Sequence, residues 1–269
     1  MADEGMRQQD GARPRSIAGA QTVDRACRVL NDIARHGTGG ARLIDLTNSS
    51  NLSRPTVHRI LQSLCAADLV RQEPRSRRYR LGVALHGLAL AAPSPLEHLA
   101  DLRPLLTGLA QQTGDTAYLM MRHGDEVQCL ARAEGASLVR TLLIDVGAFR
   151  PIGTTIAGIT MLSALDDEEI EAVLRRTSAA MARYRNATPE YVRRQIAQVR
   201  QEGYCASAGV LLEGITGISA AVPSPDGRPF LAVSISAISA RVPKARIKPL
   251  AKDLITTCND MARVLRQDR

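Results

Sequence analysis

The chain has 269 residues, which is long enough for one large domain or two smaller ones, and its net charge is +8. Hydrophobic residues make up 45% of it and aromatic residues only 3%, so the core must be aliphatic. The five cysteines are scattered and form no Cys/His cluster, so the sequence indicates neither a disulfide framework nor a metal site, and nothing indicates a cofactor. With no signal-peptide core and no apolar run near the roughly 18 residues of a membrane span, we expect a soluble cytoplasmic protein that does not contact a membrane.

The first third of the sequence predicts three helices followed by a β-hairpin. Residues 1–18 are polar, contain Gly and Pro, and are expected to be disordered. Order is expected from about Ala20, and the hydrophobic spacing predicts a first helix with Thr22 as a possible N-cap that ends at the run 36–40. Further helices are predicted over 43–49 and 53–67, and extended runs over 69–73 and 79–82. Ser53 is the expected N-cap of the third helix. Three helices and a hairpin within residues 19–82 are typical of a winged helix-turn-helix domain.

A linker helix and a second domain are expected after the hairpin. The apolar segment Val83–Ala92 begins a linker helix over 83–98, and residues 99–269 form the second domain. Its expected elements are a helix near 102–113, a hairpin around 123–126, a strand over 138–146, helices within 151–163, from 166 and over 189–202, strands over 215–222 and 230–237, and an amphipathic helix from 244. Hairpins interspersed with helices predict an antiparallel α+β sheet.

Positive charge is concentrated in the part with the helix-turn-helix pattern. Residues 1–82 hold 14 basic and 8 acidic side chains, whereas residues 83–269 hold 21 and 19. The aliphatic stripe of the third helix faces the core, which leaves its polar face for base edges and phosphates of double-stranded DNA. The expected DNA contacts are Ser53, Arg54, Pro55, Thr56, His58 and Arg59 of this helix, and Arg75, Arg77 and Arg78 of the hairpin turn.

Four stretches carry a resemblance to one known family. They are LSRPTVHRILQSL, YRLG, RPIGTTIAGITMLSAL and GYCASAGVLLEGITGISAAV. In this order they resemble the IclR family of bacterial transcription regulators, and the resemblance runs from about Gly19 to the C-terminus. It implies a GAF-like sensor fold for the second domain, binding of operator DNA as a homodimer or a dimer of dimers, and a small-molecule effector.

The resemblance also implies where the effector binds. The implied effector residues are Leu142, Ile156, Ala157, Ser207, Gly217, Ser234 and Ser236. Amides of Ile156 and Ala157 and the two β-strand hydroxyls suit a carboxylate, and Arg150, if it turns inward, would add a charge-assisted bond. Leu142, Ile156, Val210 and Ile215 are the expected apolar walls.

The stretch CASAGVLLEG departs from the family pattern. It replaces an acidic run that follows Gly-Tyr in the family, and Gly153 stands where a His is common. We therefore expect a larger or more apolar carboxylate than a glyoxylate-like effector.

The expected function is that of a ligand-responsive transcription regulator, controlling a catabolic operon. Self-association is expected because a single winged helix reads only one short half-site, and because Val83–Ala92 is too hydrophobic to stand exposed in a monomer. The alternatives are an enzyme and an architectural DNA-binding protein without a ligand. The five histidines are scattered and no nucleophile or phosphate-binding motif is present, so no catalytic residue is predicted.

Overall fold

The chain folds into two compact units. The computed structural model describes residues 20–91, 99–138, 141–184, 186–209 and 212–266, and the division between the units follows residue 92. The expected disordered tail, residues 1–18, and the end of the expected linker helix, residues 92–98, lie outside the described residues. Within the described ranges, no helix combines the length and hydrophobicity needed to cross a bilayer.

Three packed helices and a β-hairpin form the body of the first unit. The bounds are α1 Gln21–Arg35, α2 Leu43–Ser50, α3 Arg54–Ala66, β1 Val70–Gln72, β2 Tyr79–Leu81 and α4 Ala84–Ala91. The three helices bury Val29, Ile33 and Leu46 completely. β1 and β2 pair antiparallel, and Tyr79 of β2 also bridges to Ala41 ahead of α2. The helix-turn-helix and hairpin predicted from the sequence are confirmed.

Helix α4 presents apolar side chains to solvent. It begins close to the hairpin, where the amide of Ala84 donates to the carbonyl oxygen of Asp68 (3.1 Å). None of its described residues is buried, and Leu88 and Leu90 are 59% and 89% exposed. An apolar helix of this kind is expected to be covered by another surface.

One antiparallel sheet organises the second unit. The bounds are α5 Leu99–Thr113, β3 Thr116–His123, β4 Glu126–Ala133, β5 Phe149–Pro151, α6 Ile156–Leu162, α7 Asp167–Met181, α8 Pro189–Glu202, β6 Cys205–Ala208, β7 Ile215–Ala221, β8 Leu231–Ile238 and α9 Lys244–Val264. The strand order is β5-β4-β3-β8-β7-β6, with antiparallel pairing throughout. The expected α+β fold with an antiparallel sheet is confirmed.

Helices cover both faces of this sheet. On one face, α5 and α9 contribute Leu106 and Leu254 to a core that includes Leu119 of β3. On the other face, α6, α7 and α8 pack against Met120 and its neighbours. Because successive strand residues point to opposite faces, Leu119 and Met120 belong to different layers. The layer that contains α6 holds the candidate site of this unit.

The strand expected over residues 138–146 is wrong. Residues 141–146 have irregular backbone, and the strand in this part of the chain is the short β5, which begins at Phe149. The apolar side chains of this segment face different ways: Leu142 is exposed, whereas Ile144 is buried. The short edge strand β6 was not predicted from the sequence.

Candidate functional site

The first turn of α3 is built around a side-chain cap. Ser53 is the N-cap: its Oγ accepts from the amide of Thr56 (3.4 Å) and lies 2.8 Å from the Thr56 hydroxyl. Pro55 occupies the first turn, where a missing N–H breaks no helical hydrogen bond. One of these two hydroxyls donates to the other, so the accepting hydroxyl still has its own hydrogen to donate to a ligand such as a phosphate.

Three larger side chains of α3 remain free on its outer face. Val57, Ile60, Leu61 and Leu64 are buried in the first unit. Arg54, His58 and Arg59 are exposed, on the surface that the buried stripe leaves open. This is the arrangement that the sequence predicted for contacts with base edges and phosphates.

The basic hairpin turn contains residues of two kinds. Arg75 and Arg77 are exposed, and Arg77 adopts a left-handed conformation with φ of 56°. Arg78 is half-buried, and its Nη1 donates to the carbonyl oxygen of Gly40 at 2.8 Å. Arg78 thus ties the hairpin to the loop before α2, whereas the other two arginines project from the surface.

A groove between α3, the hairpin and the start of α2 adds residues that the sequence did not single out. Arg42, Leu43 and Ile44 line it together with Arg54, His58 and Arg77. Ile44 is 55% exposed, and no acidic side chain is among the described lining residues. In the sequence, Ile44 follows Arg42 closely and lies outside the inward pair Leu43 and Leu46, and this is the signal that could have marked α2 as part of this surface.

The second unit contains a cavity between α6 and the sheet. The space between its lining residues is about 520 Å³, part of which is open to solvent. The lining residues are Tyr118, Met120, Leu143, Ile144, Thr155, Ile156, Ala157, Ser207, Leu212, Ile215, Gly217, Ser234 and Ser236. Among these described residues none is charged, so hydroxyl and amide groups supply the polar contacts.

Strand register brings the predicted serines and glycine together. Ser207 of β6 pairs with Gly217 of β7, and Gly217 pairs with Ser236 of β8. Ser234 lies two residues before Ser236 and therefore points to the same face of the sheet. Both β8 serines are buried, at 8% and 7% exposure, and their hydroxyls have no hydrogen-bond partner among the described residues. They are available to a ligand in the cavity.

The start of α6 packs directly against β7. Thr155 caps the helix by accepting from the amide of Gly158 (3.0 Å), and the preceding amides of Ile156 and Ala157 lie in the same first turn. A β-carbon at Gly217 would lie 2.4 Å from Cδ1 of Ile156. Glycine at this position lets the isoleucine approach the strand, which sets the depth of the cavity.

Tyr118 holds one wall of the cavity in place. Its hydroxyl donates to the carbonyl oxygen of Thr141 and accepts from the amide of Leu143 (3.0 Å), while Thr141 Oγ1 donates to the carbonyl oxygen of Ser236 (2.7 Å). Burial raises the pKa of the Tyr118 phenol. Its place in strand AYLMMR, two residues from Met120, is the signal by which alternation could have identified it.

Two expected effector residues lie away from the cavity. Leu142 is 51% exposed, and the adjacent Leu143 and Ile144 provide the wall instead. Arg150 lies on the edge strand β5, where its Nη1 donates to the carbonyl oxygen of Phe149 (2.9 Å). The cavity is therefore lined by neutral hydroxyl and amide donors, and the guanidinium of Arg150 is not part of its lining. Val210, an expected wall residue, lies outside the described residues.

Two family models match the chain. The model described as the IclR helix-turn-helix domain matches residues 22–74. The model described as the bacterial transcriptional regulator IclR C-terminal matches residues 94–263. The first covers α3 and β1, and the second covers every described residue that lines the cavity.

Relatives with assigned roles match most of the chain. The HTH-type transcriptional repressor AllR of Salmonella paratyphi A is 26% identical over 258 residues, which cover 91% of this chain and 92% of the relative. The HTH-type transcriptional regulator XynR of Escherichia coli is 25% identical over 240 residues, which cover 87% and 92%. Both names are those of transcription regulators.

Solved structures share the fold. An IclR transcriptional regulator of Silicibacter has 24% identity and a TM-score of 0.79, with 91% of this chain and 96% of that chain covered. An IclR homologue of Microbacterium hydrocarbonoxydans, complexed with 4-hydroxybenzoate, has 22% identity and a TM-score of 0.70, with 91% and 99% covered. At these identities the likeness is one of fold.

Proposed function

Because the chain belongs to the IclR family of bacterial transcriptional regulators, we propose that it binds operator DNA through its first unit and that a small organic carboxylate in the cavity of the second unit adjusts this binding. Like its relatives, which are transcription regulators, the chain is a regulator and not an enzyme. The observation that carries the effector part is the cavity with two buried serine hydroxyls that have no hydrogen-bond partner in the described part of the chain.

The exposed face of α3 and the hairpin support the DNA part of the proposal. Arg59 and Arg54 can bond guanine edges or grip phosphates, and Arg75 and Arg77 can follow the adjacent backbone. Arg42 and Ile44 of the neighbouring groove extend this surface. Phosphate contacts of this kind would supply affinity, and base contacts from α3 would supply the choice of operator.

Neutral donors support a carboxylate with an apolar body. The hydroxyls of Ser234 and Ser236 can donate to a carboxylate, and the first-turn amides of α6 lie on the same cavity. The remaining lining is largely aliphatic, which suits an aromatic or branched body. The structural relative from Microbacterium hydrocarbonoxydans, complexed with 4-hydroxybenzoate, provides a first compound to try on this chain.

We also propose that the protein acts in the cytoplasm as a dimer or a dimer of dimers and controls a catabolic operon. The exposed leucines of α4 are suited to pack against the same helix of a second copy. Two copies would present two recognition helices to two half-sites. Light scattering at micromolar concentration tests this part, because a monodisperse monomer contradicts it.

The effector is tested with the full-length protein. Aromatic and aliphatic carboxylates are screened by thermal shift, and each hit is measured by calorimetry and in a gel shift with operator DNA. Ser236→Ala is expected to weaken binding about tenfold, whereas Ser178→Ala, an exposed serine of α7, and Arg150→Ala should not change it. Hits that are only neutral or cationic, or a Ser236→Ala protein that binds like the wild type, would refute the assignment. A ligand-free architectural protein would give no hit.

A further inference from the structure

Ile44 lies exposed in a part of the surface that is otherwise polar and basic. It follows the first residue of α2, and it is 55% exposed. Its neighbours Leu43 and Leu46 pack in the core of the first unit, whereas Ile44 does not belong to that core. A single exposed isoleucine is ordinary on most surfaces, but this one lines the groove between α2, α3 and the hairpin. Its side chain is therefore in contact with whatever occupies that groove.

Pro55 extends Ile44 into a small apolar patch. Pro55 is exposed in the first turn of α3 and lines the same groove. The carboxylate of Asp45, next to Ile44 in sequence, accepts a hydrogen bond from the amide of Arg42 (2.9 Å), and it is not among the described lining residues. The arginines that line the groove are Arg42, Arg54 and Arg77. An apolar patch beside three cations fits an apolar group that is carried by a polyanion.

The major groove of B-DNA offers one apolar group of this kind. Among the four bases only thymine presents a methyl group there, on C5, and hydrogen-bonding groups of the base edges lie beside it. The arginines of the groove are suited to the phosphates on either side. Contact between the methyl group and an isoleucine would remove apolar surface of both from water, which is favourable. The chemistry of the patch therefore matches a thymine in duplex DNA.

We propose that Ile44, supported by Pro55, contacts the methyl group of one thymine in each operator half-site and thereby selects thymine at that position. The inference rests on the proposed function, because it requires α3 to lie in the major groove. The first helix of a helix-turn-helix lies across the DNA backbone beside the recognition helix, so this thymine lies at the border of the bases that α3 contacts. Ile44 is then a specificity-determining residue that acts by apolar contact, whereas Arg59 acts through hydrogen bonds.

A contact between Ile44 and the sugar-phosphate backbone makes a different prediction. Deoxyribose is the same at every position, so that contact would add affinity for any duplex and no preference for thymine. Uracil separates the two cases, because it lacks the methyl group and keeps the hydrogen-bonding groups of thymine. Replacement of thymine by uracil therefore tests the methyl contact alone.

The probe for the experiment is a duplex that the full-length protein enriches from a pool of random DNA. Each thymine of this duplex is replaced in turn by uracil, and affinities are measured by gel shift at one salt concentration. The wild type should lose about fourfold in affinity at one position of each half-site, which is the effect of one methyl group that is no longer buried. Ile44→Ala should bind the thymine and uracil duplexes equally. Val23→Ala, which shortens a 62% exposed apolar side chain of α1, should keep the wild-type ratio.

A second substitution returns the methyl group without the rest of thymine. Cytosine at the sensitive position lacks the methyl group and has different hydrogen-bonding groups, and 5-methylcytosine restores the methyl group alone. The wild type should bind the 5-methylcytosine duplex about fourfold more tightly than the cytosine duplex. Ile44→Ala should not distinguish the two duplexes.

The other outcomes each overturn a defined part of the proposal. If the wild type tolerates uracil at every position, the methyl contact is wrong, and the DNA face of α3 still stands if Arg59→Ala lowers discrimination. Sensitivity to uracil that persists in Ile44→Ala overturns the assignment to Ile44. Failure to enrich any duplex overturns the proposed function together with this inference. Melting curves identify any variant that has not folded, and Ile44→Ser, which should also give equal binding, then decides in place of Ile44→Ala.

Discussion

Arg78 reaches from the hairpin turn to Gly40, to whose carbonyl oxygen it donates at 2.8 Å. Gly40 has a φ of 66°, and a β-carbon on it would lie 2.8 Å from the carbonyl oxygen of Tyr79. The loop before α2 and strand β2 are therefore in direct contact, and the guanidinium strengthens that contact. Two arginines that are neighbours in sequence, Arg77 and Arg78, consequently have different expected roles.

Arg78→Ala should lower stability, and Arg77→Ala should not. Loss of a half-buried bond from a charged donor is expected to reduce the free energy of unfolding of the first unit by about 1 kcal/mol. Loss of Arg77 should instead weaken binding to any DNA sequence and reduce the slope of log K against log salt by about one. Urea unfolding and gel shifts over a salt series measure both. Equal effects of the two substitutions on stability would contradict the assignment.

Arg59→Ala should reduce the preference for operator over unrelated DNA. Arg59 is exposed on the recognition face of α3, and a lost bidentate contact with a base removes about 1–3 kcal/mol of discrimination. The measurement is the ratio of operator to non-specific affinity at one salt concentration. Arg103→Ala, an exposed arginine of α5 in the second unit, is the matched control and should leave the ratio as it is.

Gly217→Ala should impair effector binding more than folding. The new β-carbon would lie 2.4 Å from Cδ1 of Ile156, which is the flexible end of a side chain and can rotate away. The space into which it rotates belongs to the cavity. We expect a melting temperature within a few degrees of wild type and at least a tenfold loss of carboxylate affinity by calorimetry.

The double variant with Ile156→Val tests the cause of that loss. Valine lacks the Cδ1 atom, so the double variant should recover most of the affinity. If it binds as poorly as Gly217→Ala alone, the overlap with Ile156 is not the reason.

Tyr118→Phe should destabilise the second unit by about 1–3 kcal/mol, because it leaves the carbonyl of Thr141 and the amide of Leu143 without their partner. The wild-type contribution depends on pH. The pKa of Tyr118 is raised in the folded state, so its contribution is complete below the unfolded value of about 10 and is lost as pH rises through the folded value. Between pH 8 and about 11, the free energy of unfolding measured in urea should therefore fall less steeply with pH for the variant than for the wild type. An identical slope would argue against the buried phenol.

Regular periodicity made much of the fold predictable. Side chains alternate between the two faces along the strand that contains Ser234 and Ser236 and along the strand that contains Gly217. Once one residue of such a strand is assigned to the cavity face, every second residue is assigned to it as well. The cap at Ser53 and the stripe that follows it identify α3 in the same way. Family resemblance supplied the effector residues that the cavity brings together, which are Ile156, Ala157, Ser207, Gly217, Ser234 and Ser236.

The parts that local patterns could not predict depend on contacts between distant residues. The run from 138 to 146 is apolar enough for a strand, yet its backbone from Thr141 to Leu143 is bound by Tyr118, a side chain more than twenty residues earlier. Arg150 lies on the edge strand β5, where it pairs with Val127 of β4, more than twenty residues earlier. Strand β6 is only four residues long and is defined by its pairing with β7. No window of sequence contains these relationships.

The wall formed by residues 141–146 is a loop fastened by side chains, and this has a consequence for kinetics. Opening it requires the bonds from Tyr118 and Thr141 to break, while the ladder of the sheet stays intact. Amide hydrogens in this loop should exchange with solvent much faster than those of β3 and β8 beneath it. A ligand that leaves by this route would have a residence time set by the opening of the loop. Replacing Tyr118 would then shorten the residence time even of compounds that do not contact its hydroxyl.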